Sequence, residues 1–237
     1  MQTMKNVVFR AVVFDMDGVL IDTRTPIEAF WHHHAGQHHI TISPEVMEGK
    51  VHGCPARQTV AQVFGHLSEA DKADLLEACE VFENEMQYAP MRGVQALLGQ
   101  LKGAGIATAL VTSSLLPKVH KVQKALALEG AFDAIVTSDL VPRGKPDPAC
   151  YLLAAVRLAL PPGECIAFED AYSGVRAAAG AGMFTVGVGP ARQEALLKEA
   201  GAKLLVPHFG DVKLRSEPDG TISFRLNEQV ALNLAAG

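Results

Sequence analysis

Cysteine is scarce and dispersed. Cys54, Cys79, Cys150 and Cys165 form no C-x-x-C pair, which argues against a zinc ribbon or a disulfide-stapled fold. Positive charge is not in excess: 21 Lys and Arg stand against 26 Asp and Glu, a formal net charge of −5. Without a basic stripe the chain is a poor partner for nucleic acid or an anionic membrane, so any anionic ligand must be handled by a local site. No uninterrupted apolar run is long enough to cross a bilayer. The apolar stretch 7–14 is broken by Arg10 and ends in acid, unlike a secretory leader. Repeats and low-complexity tracts are also missing. The expectation is a reduced, cytoplasmic protein with no nucleic-acid or membrane partner. What is present is 49% hydrophobic residues over 237 positions, enough for one substantial α/β domain and a small accessory unit.

Residues 7–14 (VVFRAVVF) are β-branched and aromatic and predict one buried strand. From Pro26 to about Tyr88 the pattern turns helical, with Pro26, Pro44 and Pro55 marking helix starts. The clearest helix covers 67–86, with Ser68 as its N-cap. From Met91 onward strands and helices alternate. Helices are predicted at 94–102, 117–128, 148–158 (capped by Asp147), 174–181 and 191–200. Strands are predicted at 106–111, 134–136, 165–168 and 184–188. Such alternation implies parallel strands with right-handed crossovers, a doubly wound Rossmann-like α/β sheet. At the tail, 212–215 and 221–225 flank SEPDG, a hairpin turn.

In a doubly wound sheet, ligands bind beyond the carboxyl ends of the strands. The first strand ends in FDMDG, placing Asp15 and Asp17 two residues apart, just before Gly18. Two adjacent carboxylates repel unless a cation sits between them or a proton is shared. The second strand ends in VTSS, where Thr112, Ser113 and Ser114 offer hydroxyls and N–H groups suited to a phosphate oxygen. Next, VPRGKPDP holds Lys145 between Gly144 and Pro146. The fourth predicted strand, counting 7–14 as the first, ends in Glu169 and Asp170, a second acidic pair suited to a hard cation such as magnesium. Alone, each is ordinary: Asp-x-Asp often caps a turn and Ser or Thr often caps a helix. Their conjunction at one edge of one predicted sheet carries the argument.

In these four segments the sequence resembles the haloacid dehalogenase superfamily, in the subgroup with a helical cap after the first strand. DMDGVLIDT resembles the first motif, VTSS the second, GKPDP the third and FEDAYSGVRAA the fourth. The resemblance covers almost the whole chain. It implies a core of residues 1–23 and 89–237 with a helical cap of 24–88. Asp15 would attack phosphorus and carry an aspartyl-phosphate, and Asp17 would serve as general acid and then base. Magnesium would be held by Asp15, the Asp17 backbone carbonyl and Asp170, with Glu169 near or bound through water. Thr112 and Lys145 would grip the phosphoryl oxygens, helped by the N–H groups of Ser113 and Gly18. The partner implied is a small-molecule phosphate ester, and the protein a monomer.

Dehalogenases and phosphonatases of the family lack the second aspartate, so Asp17 argues against both. β-Phosphoglucomutases carry a histidine where Ile27 stands and an arginine where Ala56 stands, with Arg57 one place later. The pair His52–Gly53 and the terminal hairpin are more similar to sugar phosphatases. The leading expectation is a magnesium-dependent phosphatase of small phosphorylated metabolites, sugar phosphates above all. The alternative is a phosphomutase. A non-catalytic metabolite-binding protein is disfavoured because every catalytic position is filled. His52, Gly53 and Arg57 are the candidates for contacting the rest of the substrate. Glu28 and Trp31 are more readily assigned to core or surface. The histidines of WHHHAGQHHI (His32, His33, His34, His38 and His39) read as a polar helix face, since neighbouring residues point in different directions around a helix. Arg92 stands where relatives often have proline before the glycine matching Gly93.

Overall fold

The structure, a computed structural model, describes residues 8–217, 222–226 and 231–235. In chain order it contains β1 (Val8–Phe9), β2 (Ala11–Phe14), α1 (Arg24–Gln37), α2 (Pro44–Lys50), α3 (Ala56–Val63), α4 (Glu69–Glu85), α5 (Val94–Gly103), β3 (Ala107–Val111), α6 (Leu116–Leu126) and β4 (Ala134–Val136). The remainder is α7 (Ala149–Arg157), β5 (Cys165–Glu169), α8 (Tyr172–Gly180), β6 (Phe184–Val188), α9 (Glu194–Ala200), β7 (Leu204–Val206), β8 (Lys213–Ser216), β9 (Ile222–Arg225) and β10 (Ala231–Leu234).

The main sheet has the order β4-β3-β2-β5-β6-β7, all parallel. It is doubly wound, as the alternation predicts. Along β2 the side chains alternate between two buried clusters. Val12 and Phe14 join the face covered by α5 and α6, whereas Ala11 and Val13 join the face covered by α7 and α8. This period of two is what a strand buried on both faces requires. Phe14 stacks on Phe168 of the neighbouring strand β5, ring centroids 5.5 Å apart.

The single strand expected over 7–14 is a correction. Val7 lies outside the described residues, and the rest breaks at Arg10 into β1 and β2, which belong to different sheets. The Arg10 N–H donates to the Glu164 carbonyl at 2.8 Å and its half-exposed guanidinium pairs with the Glu164 carboxylate. That interaction redirects the chain. The expected tail hairpin is present as the antiparallel pair β8–β9, with turn residues 218–221 outside the description. It belongs to a second sheet, β1-β10-β9-β8, and neither β10 nor β7 stands out by local pattern.

Helices α1–α4 form a consecutive insert around their own apolar cluster, which includes Trp31, Phe64 and Leu75. Ser68 caps α4 by accepting the Asp71 N–H at 3.1 Å. Pro44 opens α2. α1 begins earlier than expected, at Arg24, with Pro26 inside its first turn, where a missing N–H leaves no bond unmade. The two ends of the insert pair with each other: Asp22 N–H donates to Ala89 O and Met91 N–H to Leu20 O, both at 2.9 Å. The chain therefore leaves and re-enters the core side by side, at the edge where β2 ends.

Candidate active site

Order in the main sheet reverses direction at β2: β3 and β4 lie on one side, β5 to β7 on the other. A crevice opens where neighbouring crossovers diverge. The register places Phe14 opposite both Leu110 and Phe168, so Asp15, Thr112, Glu169 and Asp170 all emerge at this crevice. The Asp15 N–H donates to Phe168 O at 3.0 Å and Thr112 N–H to Val136 O at 2.9 Å. All four side chains are buried.

Lys145 is at the centre. Its Nζ donates to Asp15 Oδ1 and Glu169 Oε1, each at 2.5 Å, and to the Val111 carbonyl at 3.3 Å. Tyr151 Oη donates to the same Glu169 oxygen at 2.5 Å. Burial pushes the Asp15 carboxyl up to about 7, with Lys145 pulling it down and Glu169 up. Burial and then Asp15 raise Asp170 well above the usual carboxylate range. Burial also opposes the Lys145 charge, but Asp15 and Glu169 outweigh it and raise the ammonium above ordinary lysine.

Oxygens of Asp15, Glu169 and Asp170 lie within 4.8 Å of one another. An all-carboxylate donor set suits a hard, oxygen-preferring cation. Burial is the first cause of the raised Asp15 and Asp170 carboxyls, with neighbouring carboxylates adding to it, and a cation seated among them would favour their ionised forms. Two glycines make room for this cluster. Gly18, at φ +75°, would put a Cβ 2.2 Å from Asp170 Oδ2, and Gly174 would put one 2.0 Å from Glu169 Oε1. Gly18 was expected to offer a free N–H, but that N–H donates to Ile21 O at 2.8 Å. Its contribution is the missing side chain.

Asp17 lies apart from Asp15's partners. Its carboxylate accepts from Thr23 Oγ1 at 3.0 Å, from Ser114 Oγ at 3.3 Å and from Lys118 Nζ at 3.1 and 3.0 Å. Burial opposes the charge of Lys118, but Asp17 and then Glu83 raise its pKa above ordinary lysine. A cavity of about 420 Å³ joins Asp15 and Asp17 to the insert. His52, Gly53 and Arg57 line it, as do Ile27 and Trp31. Buried His52 bonds Glu28 Oε1 at 3.0 Å. Burial, then Arg24, lowers its pKa. Gly53, at φ +71°, would place a Cβ 2.8 Å from Ala171 Cβ and Ser173 Oγ, and its carbonyl accepts from Ser113 Oγ at 3.3 Å. Arg57 is exposed at the cavity wall. Insert and core are also joined by Arg24, which pairs with Asp170 at 3.3 Å and with Glu48, and by Gln193 Nε2, which donates to Glu48 at 2.8 Å.

Sequence reading brought Asp15, Asp17, Thr112, Lys145, Glu169 and Asp170 to one edge, and the structure places them together. It missed Lys118, Tyr151 and Arg24. Each sits within about two helical turns of a motif residue, and nothing in local pattern sets it apart from a surface side chain. Of the histidine run, His32, His33 and His34 lie in α1, whereas His38 and His39 follow its end and are not part of the expected helix face; His32, His33 and His39 are exposed.

A doubly wound sheet with four polar strand ends converging on a buried Asp–Lys pair defines a class of hydrolytic enzyme, and residues 9–182 match the haloacid dehalogenase-like hydrolase family. The chain belongs to that family and is an enzyme. It is 33% identical to hexitol phosphatase A of Escherichia coli (strain K12), over 90% of this chain and 97% of that one. It is 31% identical to β-phosphoglucomutase of Bacillus subtilis (strain 168), over 93% and 99%. A crystal structure of a CbbY variant from Rhodobacter sphaeroides, in complex with xylulose-(1,5)-bisphosphate, aligns with a TM-score of 0.69 at 28% identity, over 86% of this chain and 96% of that one.

Proposed function

We propose that the protein is a magnesium-dependent phosphatase of small phosphorylated metabolites, with sugar phosphates as its substrate class. The observation that carries this reading is the buried Asp15 carboxylate. It ends a central strand, is held at 2.5 Å by Lys145, and lines a cavity large enough for a small ester. Residues 24–88 act as a cap over the core formed by 1–23 and 89–237.

Asp15, Asp170 and the Asp17 backbone carbonyl would hold magnesium, with Glu169 nearby or bound through water, and the ion would screen Asp15 from the anionic phosphate it attacks. An Asp15 oxygen forms a bond to phosphorus as the ester P–O bond breaks. The leaving alkoxide takes a proton from Asp17. Water then attacks the aspartyl-phosphate, returns a proton to Asp17 and frees phosphate and Asp15. Thr112 and Lys145 align the phosphoryl oxygens, which is most of what phosphoryl transfer asks of a protein. His52, Gly53 and Arg57 face the alcohol portion from the cap.

The test is phosphate release from a panel of hexose, pentose and polyol phosphates, with magnesium and with excess chelator. Metal-independent release refutes the cofactor assignment, and no release from any ester refutes the activity. Identity with β-phosphoglucomutase over 93% of the chain favours a second reading, phosphomutase. Against it, Ile27 presents an apolar side chain to the cavity. Phosphorus NMR on a sugar 1-phosphate separates the two, because a mutase yields the 6-phosphate with little free phosphate.

A further inference from the structure

We infer that Lys118 is a positioning residue that fixes the Asp17 carboxylate from the core side of the cavity, so that Asp17 is aimed at the leaving oxygen without help from the insert. The inference rests on the phosphatase reading above and deepens it.

The geometry is two-sided. Lys118 Nζ reaches both Asp17 oxygens, at 3.1 and 3.0 Å. Thr23 Oγ1 adds a second donor to Oδ1, and Ser114 Oγ a second donor to Oδ2. A carboxylate gripped at both oxygens cannot turn about its last bond, whereas one held at a single oxygen can. None of these donors belongs to α1–α4. Thr23 precedes the insert, and Ser114 and Lys118 flank the start of α6. The anchor of Lys118 is firm: the next residue, Val119, is fully buried in the core beneath α6. The Lys118 side chain is 11% exposed and that of Asp17 25%. Lys118 is thus largely enclosed while Asp17 keeps an open edge, and both line the cavity. Enclosing an ammonium costs desolvation. Each hydroxyl reaches only one Asp17 oxygen and can rotate to another partner, whereas Lys118 Nζ holds both oxygens from one enclosed atom; that two-point hold is the lysine's distinct contribution to orientation. Both uses of Asp17, giving a proton to the leaving alkoxide and taking one from water, need the same aim.

The readout is leaving-group dependence. An alkyl phosphate, such as a hexose 6-phosphate, departs as a strongly basic alkoxide and needs the Asp17 proton, whereas p-nitrophenyl phosphate departs as a stable phenolate and does not. The ratio kcat/KM reports steps only through release of the alcohol. Lys118→Met is expected to lower kcat/KM for the alkyl ester about a hundredfold and for the aryl ester by less than about threefold. Lys118→Arg, which keeps two-point contact, should recover most of the loss. Both esters are measured on one preparation, so the comparison is independent of how much protein is folded. Equal losses for the two esters overturn the assignment, as does a larger loss for the aryl ester. A wild-type protein that cleaves neither overturns the phosphatase reading and this inference with it.

Discussion

Asp15 is one of two buried carboxyls, with Asp170, that make the metal-free protein less stable as pH rises. Burial lifts its carboxyl from 3.8 to about 7, against the pull of Lys145. A folded-state pKa above the unfolded one means that the folded protein binds the proton more tightly. The resulting stabilisation is fully present below the unfolded value and is lost as pH rises through 7. Applying linkage between pH 5 and pH 8, that loss is about 2–3 kcal/mol. For a chain of this size it amounts to roughly 5–10 °C in melting temperature. Buried His52, with its lowered pKa, acts in the opposite sense and loses stability as pH falls. The comparison therefore uses Asp15→Asn, which keeps the shape of the side chain and leaves His52 in place. Urea unfolding in excess chelator should show wild type losing about 2–3 kcal/mol more than the variant between pH 5 and pH 8. Parallel pH profiles, or a wild type that gains more stability toward pH 8 than the variant does, would refute the reasoning. Saturating magnesium should narrow the difference, because a cation binds the ionised carboxyl.

Asp15→Asn should also lower phosphate release by at least about a thousandfold and abolish the phosphoenzyme that the proposed mechanism expects in mass spectrometry of acid-quenched turnover. Gly18→Ala meets a left-handed backbone and an Asp170 oxygen 2.2 Å from its new Cβ. It should cost about 2 kcal/mol or more in urea unfolding and weaken magnesium binding measured by calorimetry. Tyr151→Phe keeps the buried ring but removes the 2.5 Å donor to Glu169, with an expected loss of about 1.5–3 kcal/mol in the same unfolding assay.

Much of the fold is legible because it is written in short-range patterns. Alternation of strands and helices and the Ser68 cap belong to stretches of a few residues, and they hold in the structure. Arg10 shows the limit. Residues 8–14 read as one strand despite Arg10, and the break there is made against the distant Glu164, where the chain enters two sheets. β10 is similar, since its partner β1 lies at the opposite end of the chain.

By itself the sequence determined the strand–helix alternation from α5 to α9, the helical stretch after the first predicted strand, and the acids, hydroxyls and lysine that end at the active edge. Parallel winding carries successive strand ends to one edge whatever the details of packing. Only the tertiary structure decided who pairs with whom there. Lys145 meets Asp15 across 130 positions and Lys118 meets Asp17 across 101. Such contacts depend on strand register and on how α6 and α7 lie against the sheet, and no local pattern encodes them.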